Sequence, residues 1–135
     1  PLVFERRELI ADSGGAGQWR GGLGEEMVLR ADPEGVDPGR PIVLSGSAGR
    51  IRFPPDGLFG GRPGSAGRIE VNGEPIVPTS SPEVVFGAGD VVRLLLPGGG
   101  GYGDPRRRDR ASIERDLEAG YITPAAVRRE YGHGG

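Results

Sequence analysis

Arg68-Ile-Glu-Val-Asn-Gly-Glu-Pro-Ile-Val-Pro78 decides the fold class. Asn-Gly is the dipeptide that most readily takes positive φ at both central positions of a tight type I′ turn. Short Val/Ile-bearing runs flank it, so the stretch predicts a hairpin of strands Arg68–Asn72 and Glu74–Pro78. The same short apolar runs, punctuated by Gly, Pro and Asp, recur on both sides. They predict strands near Val3–Ile10, Leu23–Arg30, Pro41–Ser45, Arg50–Phe53, Glu83–Phe86 and Val91–Leu96, with Gly87-Ala-Gly-Asp90 as a second tight connection. Between them, Phe53 to Gly67 reads as a long loop, and loops of that length inside a compact domain tend to be functional or mobile.

The pattern changes after Pro105. Asp109 is a good N-cap for a helix from Arg110 to Ala119, with Gly120 just past its end. Thr123 caps a second helix that has Pro124 at its first position and Gly132 beyond its last. Ile113, Leu117, Val127 and Tyr131 fall at helical spacing, so this tail is expected to dock rather than stand in solvent. The expected fold is mainly β: a single β-sandwich or barrel-like domain with a short C-terminal helical hairpin. Residues 1–105 would form the β-rich body and 106–135 the helical tail of the same domain.

Composition narrows the function. The 135 residues include 27 Gly and 13 Pro, but these are spread between apolar runs and form no low-complexity repeat. A formal charge of −2 gives no basic stripe for nucleic acid. Every one of the 17 basic residues is Arg, whose planar fork suits carboxylates and phosphates. Cysteine is absent, which removes disulfides and thiolate chemistry, and no apolar run is long enough to span a membrane. A cytoplasmic protein with neither nucleic-acid nor membrane partners is expected. The chain opens at Pro1 inside an apparent strand, which suggests a piece of something longer.

Two glycine-rich runs stand out: Asp12-Ser-Gly-Gly-Ala-Gly-Gln-Trp-Arg-Gly-Gly-Leu-Gly24 and Leu96-Pro-Gly-Gly-Gly-Gly-Tyr-Gly-Asp-Pro105. Asp12-Ser-Gly-Gly matches the nucleophile segment of some serine proteases, but a serine needs a base, and the one histidine, His133, sits in a glycine-rich terminus. An aspartic protease needs two Asp-Ser-Gly carboxylates sharing a proton, and one is present. The plainer reading has Asp12 and Ser13 fixing a turn through side-chain bonds to backbone. Gly98 to Gly103 satisfies Gly-x-Gly-x-x-Gly after a strand, yet no helix starts within it, and the absence of Lys excludes a P-loop. A nest of backbone N–H groups receiving an anion or an adjoining chain remains open. Arg106-Arg-Arg-Asp-Arg110 reads either as a solvated link or as a contact for phosphate or carboxylate. No spacing of His, Cys or carboxylates marks a metal site.

In order along the chain, the two glycine runs and the tail Arg115-Asp-Leu-Glu-Ala-Gly-Tyr-Ile-Thr-Pro-Ala-Ala-Val-Arg-Arg-Glu-Tyr-Gly132 resemble the closing region of the hydantoinase B/oxoprolinase family, with a further likeness to the acetone carboxylase α subunit. The resemblance implies a C-terminal domain of a B-type subunit in an assembly that opens cyclic amides such as hydantoins or 5-oxoproline by ATP-dependent hydrolysis. It implies the N-terminal remainder of that subunit and an A-type, ATP-binding subunit as partners. It also implies ATP with a divalent metal for the assembly, and no cofactor held by this chain alone. Two alternatives stay open: a non-catalytic module docking the A-type subunit, and part of an acetone carboxylase-like enzyme.

Candidate substrate- or partner-binding residues are Asp12, Ser13, Arg20, Gly98, Gly99, Gly100, Tyr102 and Asp104, with no catalytic residue assigned and no metal ligand. The two glycine runs are expected to share one surface. Arg20 is expected either to hold a carboxylate or phosphate there, or to pair internally with Asp12 or Glu25.

Overall fold

The computed structural model describes residues 1–45, 50–76 and 83–132. Seven strands form: β1 (Leu2–Leu9), β2 (Glu25–Ala31), β3 (Ile42–Ser45), β4 (Arg68–Val71), β5 (Glu74–Pro75), β6 (Glu83–Phe86) and β7 (Val91–Leu95). The larger sheet is antiparallel in the order β1-β2-β7-β4-β5, and β3 pairs with β6 in a second, two-stranded sheet. Neither sheet closes into a barrel among the described residues.

The Asn-Gly turn behaves as its chemistry dictates. Asn72 and Gly73 take φ of 51° and 84°, and the Asn72 amide reaches across to the Asp90 carboxylate at 2.8 Å and the Val91 N–H at 2.9 Å. One hairpin turn is thereby tied to the Gly87–Asp90 turn beside it, where the Asp90 side chain accepts from the Gly87 N–H at 2.7 Å. Strand β5 ends at Pro75 within the described residues, Ile76 still bonds back to Ile69, and the rest of the expected strand lies outside them.

Arg50–Phe53 is a correction: these residues form turns and bends, not a strand. Arg50 sits at φ 66°, which breaks an extended run, and Pro54-Pro55 directly after Phe53 lack the N–H groups a ladder needs.

Period-two alternation sorts the larger sheet into two faces. On one, Ala31, Val92, Ile69, Val71 and Leu94 meet Val84, Phe86, Ile42 and Leu44 of the small sheet in a common core. The other carries a ladder of alternating charge across four strands. Arg6 reaches Glu26 at 3.3 Å, Glu26 also pairs with Arg93, Arg93 reaches Glu70 at 3.3 Å, and Arg68 closes the row on Glu70 at 2.8 Å. Hydrogen bonding from Arg93 holds the Glu26 carboxyl below its ordinary range despite its burial. Strand β1 lies at the sheet's edge, exposed along its whole length, with a bulge between Phe4 and Arg6 that interrupts its register.

The tail folds as its caps predict. After a 3-10 turn at Pro105–Arg107, α1 spans Arg110–Glu118 with the Asp109 side chain accepting from the Ser112 N–H, and Gly120 follows at φ 71°. Thr123 caps α2 (Pro124–Ala126), which runs into a π turn at Val127–Tyr131 and ends on Gly132 at φ 68°. Ile113, Ile122, Val127 and Tyr131 are buried against Ala16 of the first glycine run, and Leu117 packs at their margin. Ile113→Ala is expected to cost about 2–4 kcal/mol by cavity formation at a site 3% exposed. Chemical denaturation with the far-ultraviolet helix signal as readout checks it; an unchanged midpoint would mean that the tail is not docked. His133 lies outside the described residues.

Candidate functional site

Strand register explains why distant glycine-rich segments meet. Leu9 pairs with Glu25, Glu26 with Leu95, and Leu95 with Arg68. The connection from β1 to β2, the loop entering β4 and the segment leaving β7 therefore emerge from one end of the sheet. There the three backbones weave together. Gly15 N–H donates to the Gly99 carbonyl at 2.8 Å, and Gly99 N–H donates to Gly22 at 2.9 Å. Trp19 and Tyr102 exchange two bonds, at 3.0 and 2.9 Å. The long loop forms the third component: Arg62 N–H bonds Ala16 at 2.7 Å, Gly101 N–H bonds Arg62 at 2.9 Å, and Gly103 N–H bonds Leu58 at 2.9 Å.

Close approach is what the glycines provide. A Cβ on Gly98 would stand 1.9 Å from the Ser13 carbonyl oxygen, and one on Gly100 would stand 1.9 Å from that of Asp56. The two glycine runs thus share a surface by direct contact, and the amides of Gly98, Gly99, Gly101, Tyr102 and Gly103 all donate inside the weave. Spent donors cannot also cradle a phosphate, so the Gly-x-Gly-x-x-Gly run does not fit a nucleotide.

The candidate residues divide into those that hold the weave and those that face outward. Ser13 is 2% exposed; its Oγ donates to Ile10 O at 2.6 Å and accepts from Gly24 N–H at 2.7 Å, leaving no hydroxyl proton for a base to take. Asp12, at φ 61°, accepts from the Thr123 N–H at 2.8 Å and the Thr123 Oγ1 at 2.7 Å, pinning the start of α2 to the first run. Asp104 caps the 3-10 turn by accepting from the Arg106 N–H at 2.9 Å. Gly98 donates to Ser65 Oγ at 3.1 Å. Tyr102 projects from the weave half-exposed, its ring tilted 59° against Phe59 at 5.1 Å between centroids.

Arg20 is engaged internally, though with neither Asp12 nor Glu25. Its Nε and Nη2 reach Asp116 at 3.0 and 3.3 Å, Nη1 donates to Gly21 O at 2.7 Å, and its guanidinium lies 5.5 Å from the Tyr121 ring centroid. Arg108 completes a partly buried cluster around the buried Asp116, donating to Asp116 at 2.7 Å and to Gln18 O at 3.2 Å, while its enclosed Nε has no partner. Burial pushes the Asp116 carboxyl up, but hydrogen bonding and charge from Arg20 and then Arg108 outweigh it and hold it below the usual aspartate range. Sequence reasoning missed Asp116, and read Arg108 only as one of the Arg106–Arg110 run, because Arg20 and Asp116 stand 96 residues apart and no local spacing marks the pair. It also missed Leu58, Phe59 and Arg62, although glycines at 57, 60, 61 and 64 carried the same signal as the two named runs.

No group of three or more His, Cys, Asp or Glu suited to a metal occurs among the described residues, and none of their helices is long and apolar enough to cross a membrane. The family model for hydantoinase B/oxoprolinase matches residues 1–105. This chain belongs to the hydantoinase B/oxoprolinase family. It is 33% identical to the beta subunit of the caprolactamase of Pseudomonas jessenii, over 98% of its own length and 23% of that protein. It is 30% identical to the putative B subunit of a D-/L-hydantoinase of Pseudomonas sp. strain NS671, over 98% of its length and 22% of that protein. The chain thus spans less than a quarter of the length of these curated relatives. Its fold also matches the ATP-dependent caprolactamase of Pseudomonas jessenii (TM-score 0.68, 24% identity, 98% of this chain and 23% of that one). A nucleotide-free acetone carboxylase matches nearly as well (TM-score 0.65, 23% identity, 98% and 21%).

Proposed function

We propose that this hydantoinase B-type chain is the C-terminal domain of a B-type subunit in an ATP-dependent enzyme that opens cyclic amides. Its identity to caprolactamase and hydantoinase subunits across nearly its whole length carries that reading. The two fold matches have nearly equal TM-scores, so the fold does not choose between ring opening and ketone carboxylation; the sequence relatives favour ring opening.

Within such an assembly the domain acts as a rigid platform. Ser13 has no free proton, Arg20 is locked onto Asp116, and the amides of Gly98, Gly99, Gly101 and Gly103 are bonded internally. ATP and its divalent metal would be held by the A-type partner or by the rest of the B-type subunit, and no chemical step is assigned to this chain's residues. Reconstitution tests the reading. The 135-residue chain alone should turn over neither ATP nor caprolactam, hydantoin or 5-oxoproline. Supplied to an assembly lacking this region, it should restore ATP-dependent ring opening. Turnover by the isolated chain, or undiminished turnover without it, would contradict the proposal, and activity only with acetone and bicarbonate would replace ring opening by carboxylation.

A further inference from the structure

Four large side chains form one exposed apolar surface on the weave. Trp19 is 66% exposed, Leu58 59%, Phe59 78% and Tyr102 48%. Backbone pairing sets Trp19 and Leu58 on either side of Tyr102, and the Phe59 ring leans on the Tyr102 ring. Trp, Tyr and Phe together in the open are the composition of an interface centre, not of a solvated loop.

Phe59 adds a second observation. It sits at φ 51°, a left-handed conformation that a bulky side chain seldom adopts, and is followed by Gly60 at φ 96°. The ring gains little burial in return, so this strain does not stabilise the domain by itself; strain of that kind collects at binding surfaces.

Charge frames the patch. Gly60 and Asp104 also border a cleft of about 370 Å³ lined by Arg62, Arg106, Arg128 and Arg129. Glu130 is shared by Arg62 at 3.5 Å and Arg129 at 2.7 Å, and the Asp104 carboxylate is spent on the Arg106 N–H. Among the described residues neither Arg106 nor Arg128 has a carboxylate partner, a local excess of positive charge in a chain whose net charge is −2.

We propose that the Trp19–Leu58–Phe59–Tyr102 face is the docking surface for the remainder of the B-type subunit, which meets it with apolar anchors flanked by carboxylates opposite Arg106 and Arg128. The inference rests on the subunit reading above and names its contact. The occupant follows from length: more than three quarters of each relative's chain lies outside the region matched here. Carboxylates on its contacting edge would complement the arginines of the cleft.

Trp19 is the chain's one tryptophan, so it reports on this face alone. The 135-residue chain labelled with 5-fluorotryptophan is titrated with the separately expressed remainder of the B-type subunit. Docking should shift the fluorine resonance and remove its contact with a soluble paramagnetic quencher. Phe59→Asp and the double variant Arg106→Glu, Arg128→Glu should each weaken association at least tenfold while leaving the melting temperature of the free chain unchanged. Phe59→Gly should raise that melting temperature, by relieving the left-handed strain, and still weaken association. A complex in which Trp19 stays open to the quencher would overturn the surface and leave the subunit reading standing. Burial of Trp19 by self-association of the chain would make the occupant a second copy and overturn the proposal. No association of any kind would overturn both.

Discussion

Gly98→Ala and Gly100→Ala will each destabilise the domain by about 3 kcal/mol or more, the upper end of the cost of overpacking. The added methyl carbon has no place to go. It would lie 1.9 Å from a backbone carbonyl oxygen in both cases, and a backbone held by neighbours on both sides cannot swing aside as a flexible side chain would. Gly22→Ala is the internal control. Nothing lies within 4 Å of a Cβ there and its φ is not left-handed, so the substitution should fall within about 1 kcal/mol of the parent, on the stabilising side. Urea titration of the three variants checks the contrast. Equal effects at Gly22 and Gly98 would mean that the glycines serve chain flexibility and not close approach.

Asp116→Ala will cost about 2–4 kcal/mol, because it strands two largely enclosed guanidinium groups without their shared carboxylate. The cluster couples the first glycine run, through Arg20, to α1 and to the segment before it, through Arg108. Its loss should therefore loosen the tail from the weave together with any global destabilisation. The pH dependence has a definite sign. The Asp116 carboxyl lies below its ordinary range in the folded chain, so its stabilising contribution is complete above that range. It is lost as pH falls below about 4 and through the folded value. Glu26, lowered by Arg93, adds to the same acid loss. Stability of the parent should drop over that interval, and the Asp116→Ala variant should show a shallower drop from a lower plateau.

Local chemistry made much of this fold legible. Asn72-Gly73, Asp109, Thr123-Pro124 and Gly132 each have a short-range preference strong enough to name a turn or a helix end, and each does that job in the structure. Arg50–Phe53 misled because Ile and Phe separated by one residue look like a strand, while the left-handed φ at Arg50 has no signature in an arginine. The weave was half legible. Glycine density marked two of its segments, but the third, the Phe53–Gly67 loop, stood out by length and not as a glycine-rich partner of the other two. Arg20 shows the same limit. Its fork announced a carboxylate or phosphate partner, and that partner is Asp116, brought in by the docked tail from the far end of the chain.

Native-state hydrogen exchange tests the weave most directly, residue by residue. The amides of Gly15, Gly99, Gly101, Tyr102 and Gly103 should exchange as slowly as those of β7 and respond together to low denaturant, as one cooperative unit. Rapid exchange at these positions, against a protected β7, would show open amides available to an anion and would contradict the assignment of the glycines to backbone packing.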